Sequence, residues 1–184
     1  MPFEFEQQNI KDVILVKPKI FNDNRGYFME TYKKSEFAKN GINVNFNQEN
    51  QSFSTKGVLR GLHFQKPPYS QAKLVRCSKG RICDVAVDIR KESTTFGKYV
   101  KVELSEDNKS MLFIPEGFAH GFVVLSKEAE LIYKTNKEYK PDAEAGIIWS
   151  DKDINIDWNI DFEPILSDKD KKLPQLKEVL WKFL

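Results

Sequence analysis

The sequence predicts an all-β protein, an antiparallel sandwich or barrel with a few short helices and a helical element at the C-terminus. Three observations carry this prediction. Short apolar or alternating segments recur at regular spacing with turn residues between them, the clearest of them alternates with period two, and only two stretches have helical spacing. The 184 residues, 40% hydrophobic and 30% charged, suit one domain over 1–184 with a real core. No internal repeat, low-complexity tract or linker composition argues for a division.

Taken in order, the strand candidates are 13–21 (VILVKPKIF), 26–32 (GYFMETY), 57–64 (GVLRGLHF), 73–78 (KLVRCS), 81–90 (RICDVAVDIR), 98–105 (KYVKVELS), 110–115 (SMLFIP), 121–126 (GFVVLS) and 129–139 (AELIYKTNKEY). In 83–90, Cys83, Val85, Val87 and Ile89 fall on one face, and Asp84, Ala86, Asp88 and Arg90 on the other, so one face is polar. A helix is predicted over 35–41, which starts at a serine and stops at a glycine. Another is predicted over 173–184, where apolar residues repeat at Leu173, Leu176, Leu180 and Phe183/Leu184 behind the charged stretch 166–174.

Charge and cysteine content narrow the function classes. Lys+Arg 29 against Asp+Glu 27 leaves a net +2, too little for the global field of a nucleic-acid binder, although a local basic cluster still suits an anionic small molecule. Cys77 and Cys83 are too few for a disulfide framework and match no zinc spacing, so they read as reduced structural thiols. The start MPFEFEQQNIKD is acidic without an apolar core, unlike a signal peptide, and no apolar run reaches membrane-spanning length. The expectation is a cytoplasmic protein with neither nucleic acid nor membrane as partner.

Function is suggested by polar groups placed where a core is expected. VLRGLHF (58–64) sets Arg60 and His63 inside a strand pattern, and PEGFAHGF (115–122) does the same for His120; these are the two histidines of the chain. Taken singly, a strand arginine snorkels to solvent and a strand histidine is more often a satisfied core residue. Joined by Lys73, Asp84 and the Gln48, Glu49 and Asn50 of NQENQS (47–52), they are too many polar groups to bury unpaired, and a polar cavity is the cheaper explanation. Arg60 and His63 are an odd number of residues apart and would face opposite ways in a regular strand, so a bulge at Gly61 is expected to bring both to the cavity.

These motifs, with AELIYK (129–134), DVAVDIRKESTTFG (84–97), GIIWSD (146–151) and LSDKD (166–170), resemble the dTDP-4-dehydrorhamnose 3,5-epimerases over nearly the whole chain. The resemblance implies a cupin-type jelly roll acting on a dTDP-linked 4-keto-6-deoxy sugar, inverting C3 and C5 with no organic cofactor, in dTDP-L-rhamnose biosynthesis. It makes His63 the base, Asp170 the carboxylate that orients it, and Tyr133 the acid on the opposite face of the sugar. Lys73 and Arg60 become cations for the enolate or the pyrophosphate, and His120 a substrate contact that Asp84 is a candidate to orient. Arg25, Glu30, Gln48, Asn50, Glu144 and Lys169 match nucleotide- or substrate-contacting positions. A homodimer, with an edge strand or N-terminal arm exchanged, is typical of the family.

Residue by residue, blander readings stand beside these roles: a turn for Arg25 in DNRG, a cap or solvated loop charge for Asp170, core packing for Tyr133, and surface salt bridges for Lys73 and Arg60. Cupins often hold a metal through a His-x-His pair, but His63 is followed by Phe64 and Gln65, so no metal is expected. One departure from the family is Asn159, where relatives often carry proline after the tryptophan, a change expected to alter a surface turn. Two competing readings remain: a C3-only or C5-only epimerase of a related dTDP sugar, and a noncatalytic sugar-nucleotide-binding cupin. A metal-dependent cupin is a distant third.

Overall fold

The alternation in 83–90 organises the molecule, because both of its faces are buried and each faces a different layer. The computed structural model describes residues 2–183, with side chains as far as Val179. One sheet contains five strands in the order β13 (Glu144–Gly146), β6 (Leu59–Gln65), β11 (Phe118–Val124), β8 (Arg81–Asp88) and β9 (Tyr99–Ser105). Facing it is a six-stranded sheet in the order β1 (Phe3–Gln7), β2 (Ile14–Pro18), β10 (Met111–Ile114), β7 (Lys73–Lys79), β12 (Glu128–Thr135) and β5 (Gln48–Thr55). Every ladder in these two sheets is antiparallel, giving the sandwich expected from the segment spacing.

Three apolar clusters hold the layers. Between the sheets, Val75, Leu112 and Leu131 of the larger sheet meet Ile82, Ala86 and Val124 of the smaller. Outside the smaller sheet, Val85, Val87 and Cys83 pack beneath Ile147, Ile154 and Trp158 and beneath Leu176 and Val179 of α2 (Leu176–Phe183). Outside the larger sheet, Val16, Leu74 and Met111 are covered by Phe37 of α1 (Lys34–Lys39), a short helix ringed by Phe3, Phe5 and Tyr32 at edge-on aromatic distances of 4.9–5.3 Å. Asp84 and Asp88 are therefore on a polar face that is fully buried rather than solvated.

Several boundaries differ from the sequence expectation. Segment 13–21 divides into β2 and the short β3 (Phe21–Asp23), and 26–32 yields only β4 (Gly26–Phe28); β3 and β4 form a separate, exposed hairpin. The strand expected from 121 begins at Phe118, so His120 is within a ladder, while that expected over 129–139 ends at Thr135. Strands β1, β5 and β13 are additional. The predicted Leu180, Phe183 and Leu184 side chains lie outside the described residues. Asn159 has φ +52° and its N–H donates to Asp157 Oδ1. Asparagine tolerates that left-handed turn, whereas the fixed negative φ of proline does not.

Candidate active site

A cavity of about 320 Å³ lies between the two sheets, in the size range of small-molecule sites. The β6–β11 register explains why Arg60 and His63 both reach it. His120 pairs with His63 and Phe122 with Arg60, so Gly61 and Leu62 stand opposite the single residue Gly121. That is the bulge expected at Gly61, which takes φ +123°; a Cβ there would sit 2.6 Å from Gly121 Cα. Leu62 turns into the outer core, and Arg60 and His63 line the cavity.

His63 is also held from the other side. The stretch after Ile165 joins β6 through Leu59 N–H to Ile165 O at 3.0 Å and Ile165 N–H to Gly57 O at 2.8 Å, which carries Asp170 beneath the ring. His63 Nε2 bonds Asp170 Oδ1 at 2.7 Å. Burial alone would raise the Asp170 carboxyl, but the His63 bond and charge, Ser167 and the Gly61 N–H outweigh it and leave it lowered. An ionised acceptor on Nε2 fixes the ring proton there and leaves the lone pair on Nδ1.

A second histidine–carboxylate pair adjoins the first. His120 Nε2 bonds Asp84 Oδ1 at 2.8 Å. Both histidines line one cavity on adjacent strands, and among the described residues no group of three His, Cys, Asp or Glu is placed to hold a metal ion.

The facing sheet supplies the remaining groups. Lys73 of β7 is buried, and burial lowers it to about 8, with Asp84 and then Glu144 acting in the other direction. On β12, Leu131 and Tyr133 point inward; burial raises the Tyr133 hydroxyl, Arg60 opposes and Glu144 adds to the rise. Opposite them on β5 stand Ser52 and Asn50, with Gln48 further along and donating to Asn50 Oδ1 at 2.8 Å. Period two turns Glu49 outward to pair with Lys134, which corrects its expected place among the inward groups. Arg60 is directed by Ser54 Oγ and the Phe53 carbonyl, both at 3.1 Å.

At the rim, Glu144 accepts from Tyr139 Oη and pairs with Lys169, each at 2.6 Å. Burial would raise Glu144, and these two partners lower it overall. Arg25 and Glu30 are not brought to the cavity: Arg25 is 84% exposed on its side chain at the hairpin tip and paired with Asp23, and Glu30 pairs with Lys33. Sequence reasoning passed over Gln65, Gln71 and Tyr139. Gln65 was accessible, since it follows His63 by two in the same strand; Tyr139 falls at the end of the strand expected over 129–139 but stands in the loop beyond Thr135.

The model of the family described as dTDP-4-dehydrorhamnose 3,5-epimerase matches residues 7–178. The chain belongs to this family. It is 59% identical over 162 residues to the dTDP-4-dehydrorhamnose 3,5-epimerase of Shigella flexneri, covering 88% of this chain and 89% of that one. The crystal structure of dTDP-6-deoxy-D-glucose-3,5-epimerase from Legionella pneumophila in complex with dTDP-4-keto-L-rhamnose superposes with a TM-score of 0.95 at 41% identity, over 99% and 97% of the two chains. A 3'-monoepimerase from Streptomyces bikiniensis, in complex with dTDP-quinovose, superposes at 0.89 with 30% identity over 96% and 89%. The fold is thus the cupin-type sandwich of these epimerases.

Proposed function

We propose that residues 1–184 act as one cytoplasmic epimerase that inverts C3 and C5 of dTDP-4-dehydro-6-deoxy-D-glucose, giving dTDP-4-dehydro-L-rhamnose for dTDP-L-rhamnose biosynthesis. One observation carries the reading: a histidine–aspartate pair on one sheet and a protonated tyrosine on the facing sheet line the same cavity. Inversion at carbon needs a base and an acid on opposite faces of the sugar, and facing sheets provide them.

C3 and C5 are both α to the C4 ketone. His63 Nδ1 takes the proton from one of them, and the electron pair of that C–H bond moves into the ring to leave an enolate at O4. Lys73, a buried ammonium, faces this oxygen with His120, in surroundings where a fixed cation is worth more than in water. Tyr133 then donates its hydroxyl proton to the same carbon from the other side. Solvent resets the His63 imidazolium and the Tyr133 phenolate, and the cycle repeats at the second carbon. Arg60, Gln48, Asn50, Glu144 and Lys169 hold the nucleotide sugar, with arginine suited to phosphate.

A homodimer is part of the reading. β5 is an open edge with Phe53 half exposed, and the β3–β4 hairpin presents Phe21, Tyr27 and Phe28 to solvent beside Arg25 and Glu30. An exposed strand edge invites pairing, and a hairpin from a second copy gives Arg25 and Glu30 a route to the nucleotide. The similarity to a 3'-monoepimerase favours one alternative, inversion at a single carbon. Incubating purified protein with the 4-keto nucleotide sugar and assigning the product by NMR tests the reading. The L-configured product supports double inversion, a C3 or C5 epimer supports the alternative, and unchanged bound substrate contradicts both.

A further inference from the structure

Asp84 has no part in the chemistry described above, yet it carries the one mismatch in the site. It is fully buried on the inner face of β8, with Oδ1 on His120. Among the described residues, its Oδ2 is the sole buried side-chain nitrogen or oxygen without a hydrogen-bond partner. Lys73 is its complement: buried and, among the described residues, without a hydrogen-bond or ion-pair partner, while Asp84 exerts the strongest attraction on it. A buried carboxylate and a buried ammonium persist as charges when each compensates the other.

We propose that Asp84 is a positioning residue for the epimerisation, orienting His120 through one oxygen and serving as counter-ion to Lys73 through the other, so that Lys73 meets O4 as an ammonium. The inference rests on the epimerase reading. Asp170 serves the base on β6; Asp84 serves the oxyanion side from β8, so the two histidine–carboxylate pairs have divided tasks.

Other groups near Lys73 do not replace Asp84. Glu144 of β13 attracts Lys73 more weakly and is already paired with Lys169 and Tyr139. Arg60 and His63 from β6, His120 from β11 and Tyr133 from β12 line the same cavity, and none of these four is a carboxylate. The Cys77 and Cys83 thiols also feel the Asp84 charge, but burial first, with Asp84 adding, pushes them to about 11 and about 12, so they stay neutral.

The test compares Asp84→Asn and Asp84→Glu with the unaltered protein. For Asp84→Asn, kcat is expected to fall about 10²-fold, the size of a lost oxyanion donor, with KM nearly unchanged. The alkaline limb of the kcat profile is expected to move to lower pH, and Asp84→Glu to restore part of both. A carbon-13 titration of the Lys73 ε-carbon without substrate reads the same linkage whatever the substrate proves to be: deprotonation near pH 8 in the unaltered protein and at lower pH in Asp84→Asn. Should Asp84→Asn fail to fold, Asp84→Ser takes its place, read by the same kcat profile and Lys73 titration. An unmoved alkaline limb, an unmoved Lys73 titration, or KM rising as far as kcat falls would overturn the proposal.

Discussion

Asp170 joins His63 across 107 residues of sequence, and in the proposed mechanism the pair defines the chemistry at the scale of single side chains. Replacing Asp170 with asparagine removes the charge and lets the ring proton move to Nδ1, where the lone pair is needed. The expected result is a fall in kcat of about 10²–10⁴ with little change in KM, checked by steady-state kinetics. An equal loss in both constants contradicts an orienting role. Tyr133, read locally, is core packing, whereas Lys73 and His63 are legible in the sequence as polar residues in apolar strands. Asp170 is not: read locally it is the first residue of a single 3₁₀ turn, 170–172, and its partner lies beyond any local pattern. Only the family resemblance pointed to it.

At the scale of elements, the site depends on one irregular ladder and one capped strand. Gly61→Ala would place Cβ 2.6 Å from Gly121 Cα and 2.7 Å from the His120 carbonyl, both backbone atoms with little freedom to yield. Destabilisation by about 2 kcal/mol or more is expected, with loss of turnover in the fraction that folds, measured by denaturant unfolding and assay. Wild-type stability would contradict the bulge as a requirement.

Asp88 closes the far end of β8. It accepts from Arg90, Ser93 and Thr95, and although burial alone would raise it, these partners hold it at about 2. Its folded value is below its unfolded one, so its contribution is present above about pH 4 and is lost as pH falls towards 2, an effect of about 2 kcal/mol. Unfolding free energies between pH 5 and 2 are expected to fall more steeply in the unaltered protein than in Asp88→Asn; parallel profiles contradict the assignment. Elements that face a hydrophobic core were legible, as in 73–78 and 110–115. β5 was not picked out as a strand because its inner row of Gln48, Asn50 and Ser52 lines a cavity, so the apolar alternation that marks a strand is missing.

For the whole molecule, two facing antiparallel sheets set the proposed acid and base apart, and an exposed aromatic hairpin extends the chain beyond its own cavity. Light scattering is expected to give twice the mass of one chain. Arg25→Ala is expected to raise KM for the nucleotide sugar with kcat nearly unchanged; a monomer at assay concentration contradicts the hairpin's assigned role. The sandwich was readable from segment spacing and turn residues. The proposed reach of the hairpin was not, since Arg25 in DNRG is satisfied locally by Asp23 and the role proposed for it needs a second copy.

The most direct measurement is proton NMR of dTDP-4-keto-6-deoxy-glucose incubated with the protein in D₂O, beside a His63→Ala control. The Tyr133 hydroxyl exchanges with solvent, so each inverted carbon receives a deuteron. Deuterium at both C3 and C5, abolished in the control, is the predicted result. Label at only one carbon would reassign the protein to single-site epimerisation, and no label with substrate still bound would contradict base-and-acid catalysis in this cavity.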